Sequence, residues 1–231
     1  MDIHVLTIFP EMFPGVLDSS ILKIARDRGR LAVHLHNLRD YTTSRHRSVD
    51  DRPFGGGPGM VFKPEPVFRA VEAIESLDPR PLRRVLLSPQ GMPFRQKVAS
   101  ELALEANLLL ICGHYEGFDE RIRIGLKPFE LSIGDYVLSG GEVPAMVVID
   151  ALARLQEGVL GHDRSAEMES FSSRLLDFPH YTRPVEYRGM AVPEVLRTGN
   201  HEKIASWRNR MALERTRSRR KDLLERSGSV C

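Results

Sequence analysis

The chain has 231 residues, of which 42% are hydrophobic and 28% charged, with a net charge of +2. This is the composition of an ordinary globular protein with enough length to bury a core, and no apolar run reaches membrane-spanning length. The two cysteines, Cys112 and Cys231, exclude a disulfide framework and a cysteine-based metal site.

The two ends of the chain differ in character. The first thirteen residues have neither the basic segment nor the cleavage site of a signal peptide, so we expect a cytoplasmic protein. Residues 197–226 contain ten basic and four acidic side chains, an excess of six positive charges. Because the whole chain carries only +2, the remainder is mildly acidic, and the asymmetry indicates an anionic partner for the C-terminal part.

The N-terminal residues predict a strand, a helix and a second strand. Residues 3–9 are rich in β-forming residues, residues 21–25 continue a helix that Gly29 closes, and residues 31–38 alternate apolar and polar side chains. His34 and His36 share one face of the second strand. Such a pair can bind a metal, but with no third ligand in sight two half-exposed strand residues are the favoured interpretation.

Residues 39–60 form a long irregular stretch that mixes basic side chains, an acidic pair and a GGGPG run. The run is not a phosphate-binding P-loop, because no Gly-Lys-Ser/Thr follows it. Loops of this length are usually functional or mobile. A solvated linker and a lid or RNA-contacting loop both remain open interpretations.

Three consecutive β-α units follow. Apolar strands are predicted at 84–87, 108–112 and 129–133, with helices at 66–74, 96–105 and 119–124. Near-continuous apolar strands alternating with helices predict an α/β fold, with a buried parallel sheet and helices on both faces. Each strand ends in a loop that carries glycine or proline, and ligands of such sheets bind at these carboxyl ends.

The third of these loops, residues 132–145, holds three glycines and leads into a helix at 142–156. That helix is apolar on most faces, so it is either central or covered by a second subunit. Asp150 and Arg154 lie four residues apart on it, the spacing of an ordinary ion pair. Burial would instead require a specific partner for the arginine.

The C-terminal part begins with a linker-like stretch at 157–173 and an irregular aromatic segment at 177–184. Two helices are predicted after it, at 193–198 and 201–226. The basic residues of the second helix point all round it, which allows phosphate contact without defining a groove-reading face.

The motifs of this chain resemble those of the bacterial tRNA (guanine-N1)-methyltransferases, a family of the SPOUT superfamily. The shared motifs cover essentially the whole chain: RHR-VDDRP-GGGPGM (45–60), LSPQG (87–91), CGHYEG-DER (112–121), SIGDYVLSGGE-PA (132–145), LLD-PHYTRP (175–184) and GNH (199–201).

The resemblance implies a parallel α/β domain at 1–160 whose C-terminal part forms a trefoil knot, a flexible linker at 161–174, and a small all-helical tRNA-binding domain at 175–231. It also implies a homodimer with its active site at the subunit interface, which would account for the apolar helix 142–156. No membrane association is expected.

The implied reaction transfers a methyl group from S-adenosylmethionine to N1 of guanine 37 of tRNA, next to the anticodon. The resemblance places the cofactor among residues of the three loops: Leu86, Leu87, Ser88, Pro89, Gly113, Glu116, Ile133, Gly134, Asp135, Tyr136, Val137, Leu138, Gly140, Gly141 and Pro144. Magnesium is a further expectation from the family, for which the sequence provides no ligand set.

Guanine N1 carries a proton, so the reaction needs a general base and a positive group for the charge that develops on O6. By resemblance Arg154 is that positive group, since its guanidinium is permanently charged. The base is Glu169, where the family usually has aspartate. Asp163 and Asp177 are the fallback candidates.

Two other functions are compatible with the same motifs. One is a SPOUT methyltransferase acting on another base or on a ribose 2′-OH, and the other is an RNA-binding protein without activity. A dinucleotide-dependent oxidoreductase is disfavoured, because no G-x-G-x-x-G follows the first strand.

Overall fold

The structure is a computed structural model that describes residues 1–160, 170–171 and 175–225. The chain divides into two compact units, Met1–Gly161 and His162–Cys231.

The first unit alternates strands and helices along the chain. Its elements are β1 (Asp2–Thr7), α1 (Pro14–Leu17), α2 (Ser20–Asp27), β2 (Ala32–Asn37), β3 (Asp50–Asp51), β4 (Val61–Phe62), α3 (Pro64–Glu75), β5 (Arg83–Pro93), α4 (Gln96–Leu102), β6 (Asn107–Cys112), α5 (Glu120–Leu126), β7 (Phe129–Ser132) and α6 (Glu142–Ala153). Two short 3-10 helices, Pro10–Met12 and Leu38–Tyr41, complete it.

Five strands form one parallel sheet in the order β2-β1-β6-β5-β7. Every residue of β6 is buried, as expected for a strand covered on both faces. The predicted α/β fold with a parallel sheet is therefore confirmed.

The sheet has a hydrophobic core on each face. One face, which includes Ile3 and Leu110, packs against α2, α4 and α6. The other, which includes Leu6 and Leu109, packs against α3 and α5. Successive residues of β1 and β6 alternate between these cores because neighbouring side chains of a strand point to opposite faces.

Strand β5 is longer than predicted. The sequence predicts its end at Leu87, before Ser88-Pro89-Gln90-Gly91, but β5 continues to Pro93. Leu87 and Met92 both pair with Leu131 of β7, so the intervening residues form an irregularity within the strand. Proline and glycine indicated a turn, whereas the chain bulges and resumes its pairing with β7.

The second unit contains β8 (Glu186–Tyr187), β9 (Met190–Ala191), the 3-10 helix Glu194–Arg197, α7 (His201–Arg219) and α8 (Asp222–Glu225). The prediction of an all-helical C-terminal domain is wrong, because β8 and β9 form an antiparallel hairpin. The helix predicted at 201–226 is also interrupted at Arg220, which caps α7. None of the helices in the described ranges is long and apolar enough to cross a membrane.

Candidate functional site

A cleft of about 260 Å³ lies at the carboxyl ends of β5, β6 and β7. Thirteen of the fifteen residues predicted to bind the cofactor line it. The two exceptions are Leu86, which is fully buried in the core beneath, and Asp135, which is exposed beside the cleft. The three loops recognised from the sequence therefore meet at one site.

The second and third loops are in direct backbone contact. The Gly141 N–H donates a 2.7 Å hydrogen bond to the Gly113 carbonyl, and Gly140 forms a β-bridge with His114. A Cβ on Gly141 would lie 2.7 Å from Cys112 Cα and 2.8 Å from Gly113 N. Glycine is thus required here because the end of β6 leaves no space for a side chain.

The irregular stretch 39–60 borders this site. Glu116 N–H donates to the Met60 carbonyl (3.0 Å) and Phe62 N–H donates to the Gly117 carbonyl (2.9 Å). Burial raises the pKa of the Tyr115 phenol, and the negative charge of the nearby Asp50 carboxylate raises it further. The segment therefore contacts the cleft at Met60, whereas its GGGPG run is exposed.

Glu142 is a buried carboxylate at the start of α6, with 2% of its surface exposed. It accepts a 2.7 Å hydrogen bond from the Thr7 hydroxyl, and Thr7 Oγ1 in turn accepts from Phe9 N–H at 2.9 Å. The position favours a negative charge, because the first turn of a helix presents free N–H groups. Burial, together with the charge of Glu142, raises the pKa of the neighbouring Cys112 thiol.

His114 connects this carboxylate to the cleft. Its Nδ1 lies 3.8 Å from Glu142 Oε2, and the atom is buried without a hydrogen-bond partner among the described residues. Its ring contacts those of Phe9 and Tyr115 edge-on. No role for His114 is predicted from the sequence, although it stands inside the CGHYEG motif.

Arg154 is half-buried and caps the C-terminal end of α6. The helix begins beside the cleft at Glu142, so its twelve residues place Arg154 roughly 18 Å further along the axis. Among the described residues that line the cleft, Arg154 is absent. A single copy of the chain therefore does not bring the predicted catalytic arginine to its own cofactor loops.

Of the carboxylates considered as the general base, Glu169 and Asp163 lie outside the described residues. Asp177 is described, and its Oδ2 lies 2.7 Å from His180 Nε2 while Oδ1 accepts from Phe178 N–H at 2.8 Å. Its carboxylate is thus engaged locally in the second unit.

The histidine pair of β2 takes part in hydrogen bonds rather than a metal cluster. His36 Nε2 lies 2.9 Å from His4 Nδ1, and His34 Nε2 lies 3.1 Å from Asp2 Oδ1. Within 1–160, 170–171 and 175–225, no group of three His, Cys, Asp or Glu side chains could hold a metal ion.

A parallel sheet with a glycine-walled cleft at the carboxyl ends of three strands is the arrangement of ligand-binding α/β proteins. The family model described as tRNA (guanine-1)-methyltransferase TrmD matches residues 1–226 of the chain. The chain belongs to this family, so the resemblance found in its motifs is confirmed.

Three relatives are similar along nearly their whole length, and each is named tRNA (guanine-N(1)-)-methyltransferase. The protein of Moorella thermoacetica is 58% identical over 98% of this chain and 91% of its own. That of Brevibacillus brevis is 56% identical over 98% and 92%. That of Dehalococcoides mccartyi is 55% identical over 98% and 91%.

Proposed function

We propose that this chain is a tRNA (guanine-N1)-methyltransferase that transfers a methyl group from S-adenosylmethionine to guanine 37, next to the anticodon. The observation that carries the proposal is the convergence of the three family loops on one cleft. The family assignment and the names of the relatives support the same activity.

The residues of the cleft suit S-adenosylmethionine. Leu87, Leu138 and Pro144 offer apolar contacts to a flat base, and Gly113 and Gly140 leave their backbone accessible. When bound, the cofactor would supply an electrophilic methyl group. The contribution of the chain is to bind and orient that group, and glycine allows the backbone to approach it closely.

The acceptor must be activated by protein groups. Guanine N1 becomes nucleophilic when its proton is removed. We propose that the carboxylate of Glu169 is the general base that accepts this proton. We propose that the guanidinium of Arg154 stabilises the negative charge that develops on O6. Glutamate provides the same carboxylate as the aspartate usual in the family, on a stem that is longer by one methylene.

We also propose a homodimer in which Arg154 of one subunit serves the cleft of the other. Two observations support it. Arg154 lies roughly 18 Å from the start of its own α6, as its position twelve residues along the helix requires. Val143 and Val147, one turn apart on α6, are 47% and 43% exposed, as expected for a helix face that a second subunit covers.

We infer that the cofactor loops form a trefoil knot. Strand β5 lies between β6 and β7 in the sheet, yet Gly140 and Gly141, which follow β7, contact the end of β6. The chain leaving β7 must therefore pass the 88–91 segment of β5 to reach β6. That crossing supports the knotted topology of the SPOUT superfamily.

The proposed division of labour is a methyltransferase domain at 1–160, a linker at 161–174 and a tRNA-binding domain at 175–231. The positive excess of residues 197–226 supports the last assignment, since tRNA is an anion. Such an enzyme would act in the cytoplasm, where its tRNA substrate is found.

The function is tested by methyl transfer to transcribed tRNAs that differ only at position 37. We expect a transcript with guanine 37 to accept labelled methyl groups and a transcript with adenine 37 to accept none. Equal labelling of both would favour a SPOUT enzyme acting on another base or a ribose. Labelling of neither, together with no cofactor binding in calorimetry, would favour a non-catalytic RNA-binding protein.

A further inference from the structure

The hairpin of the second unit is tightly defined. Its strands pair Glu186 with Ala191 and Tyr187 with Met190, and Val192 N–H donates to the Val185 carbonyl at 2.8 Å. The two turn residues, Arg188 and Gly189, have φ values of +52° and +75°. Two successive positive φ angles are those of a type I′ turn, whose twist matches that of the strands it joins.

This hairpin exposes large side chains. Tyr187 is 56% exposed and Met190 66%, and every residue from 180 to 191 is exposed. An isolated two-stranded hairpin is marginally stable in water. Apolar side chains presented together on such an element indicate a surface that contacts another molecule.

Arg188 occupies a position that strongly prefers asparagine or glycine. The first central residue of a type I′ turn must adopt a left-handed conformation, which costs free energy for a long side chain. Its guanidinium lies 5.2 Å from the centre of the Tyr187 ring. The tip of the hairpin therefore pairs a positive charge with an aromatic face, in a place where turn chemistry favours another residue.

A second aromatic pair lies in the same unit. Tyr181, which is 49% exposed, contacts Trp207 of α7 with the ring centres 6.4 Å apart. Lys203 and Arg210 are exposed, and they precede and follow Trp207 by about one helical turn, so they share its side of the helix. Aromatic faces alternate with positive charges here as well.

These features select a chemical class of partner. Between residues 180 and 191, Arg183 and Arg188 outnumber the single acid, Glu186, so the surface suits an anion. Unpaired bases of nucleic acids stack on exposed aromatic rings, and arginine contributes cation–π and phosphate contacts. A duplex hides its base faces and would use the charges alone.

We propose that the hairpin Val185–Val192, led by Tyr187 and Arg188, is a docking surface for unpaired bases of an RNA loop. The inference rests on the proposed function, because the methylated guanine belongs to the anticodon loop of tRNA. It goes further by assigning a stacking contact to a particular element of the second unit.

The test measures binding of the full-length protein to two labelled RNAs by fluorescence anisotropy. One is a stem-loop that carries an anticodon loop, and the other is a blunt duplex of the same stem. For Tyr187→Ala we expect the affinity for the stem-loop to fall about fivefold or more. This corresponds to the lower end of the binding free energy that is lost when one base can no longer stack on an aromatic ring. Tyr187→Phe keeps the aromatic face and is expected to bind within about twofold of the wild type.

Arg188→Asn separates charge from folding. Asparagine is a preferred residue at this turn position, so the variant is expected to unfold at the same temperature as the wild type or higher. It is nevertheless expected to bind the stem-loop more weakly, with a salt dependence reduced by about 0.7 to 1 in the logarithmic slope. Lys97→Ala, which removes an exposed positive charge from α4 in the first unit, is the matched control. It should change neither the affinity for the stem-loop nor the salt dependence of binding.

Three results would overturn the inference. They are wild-type binding by both Tyr187→Ala and Arg188→Asn, an equal loss toward duplex and stem-loop for Tyr187→Ala, and a change in sedimentation that shows a second copy to be the occupant. Failure of the proposed function is distinguishable from these. It would appear as a wild-type protein that methylates no transcript, whatever the hairpin variants bind.

Discussion

The hydroxyl of Thr7 donates a 2.7 Å hydrogen bond to the carboxylate of Glu142, across 135 residues of sequence. Both side chains are buried, with 1% and 2% of their surface exposed. The bond joins the end of β1 to the first turn of α6, immediately after the glycines that contact β6. It therefore stabilises the position of the third cofactor loop.

Thr7→Val tests this link by removing the hydroxyl while keeping the shape of the side chain. We expect the free energy of unfolding to fall by about 2–3 kcal/mol, because a buried carboxylate loses its donor. Urea unfolding at neutral pH measures the change. Thr198→Val, at an exposed threonine, is the control and should cost less than about 1 kcal/mol. If Thr7→Val and Thr198→Val lower the free energy of unfolding equally, the buried hydrogen bond of Thr7 contributes no more to stability than an exposed threonine hydroxyl does.

Gly141→Ala tests the contact between the second and third loops. The φ and ψ angles of Gly141, −82° and −4°, are accessible to alanine, so the expected effect is steric. The added Cβ meets backbone atoms at 2.7–2.8 Å, and they cannot rotate away as a side chain could. We expect the dissociation constant for S-adenosylmethionine to rise by about tenfold or more, equivalent to 1.4 kcal/mol.

Calorimetry measures that constant, and Gly15→Ala is the matched control. Gly15 lies in α1 with open space around its Cβ position. The control should bind the cofactor as the wild type does and be slightly more stable, since alanine favours a helix. Wild-type cofactor binding by Gly141→Ala would show that close contact between the second and third loops is not needed to bind the cofactor.

We predict that the protein loses stability in mild acid because His36 becomes protonated more readily in the unfolded chain than in the folded one. Burial, together with the nearby His4 and His34, lowers its pKa from 6.5 to about 4. Between these values the unfolded chain binds a proton that the folded chain does not, so stability falls as the pH decreases from about 6.5 to about 4. Because the ring is only half-buried, we expect this histidine to contribute about 1–2 kcal/mol of that loss.

Urea unfolding at pH 6.5 and pH 4.5 measures the loss, and His36→Gln should reduce it. His201→Gln, at an exposed histidine of α7, should leave the pH dependence as in the wild type. If both variants lose stability in acid as steeply as the wild type, His36 is not responsible.

Glu169→Gln tests the assignment of the general base. The amide cannot accept the proton of guanine N1, so we expect single-turnover methylation to slow by about a hundredfold or more. Glu169→Asp restores the residue usual in the family and should retain most of the rate. Glu157→Gln, at an exposed glutamate just after α6, is the control. A rate within a few-fold of the wild type for Glu169→Gln would exclude this role.

The sheet and the edge at which the cleft lies were predictable because they depend on local signals. Apolar strands such as Leu108–Cys112 and their terminal glycines leave few alternatives, and parallel strands bring their carboxyl ends to one edge. The individual residues that line the cleft were identified from the resemblance of the three loop motifs to the family, not from local pattern.

The remainder depends on tertiary contacts that no periodicity encodes. Thr7 and Glu142 are 135 residues apart, and neither lies in a pattern that pairs them. The hairpin at Glu186–Ala191 was missed because Arg188-Gly189 is not the Asn-Gly signature of its turn. The extension of β5 was missed because Pro89 and Gly91 usually end a strand.

The central claim is that the methyl group reaches N1 of guanine 37. Its most direct test is to incubate the protein with a guanine-37 transcript and deuterated-methyl S-adenosylmethionine, digest the RNA, and identify the labelled nucleoside by mass spectrometry. Reverse transcription of the intact methylated tRNA locates the modified nucleotide, since a methyl group on N1 blocks base pairing. We predict labelled 1-methylguanosine and a stop just before position 37. A label on ribose or on another base, or read-through at that position, would contradict the account.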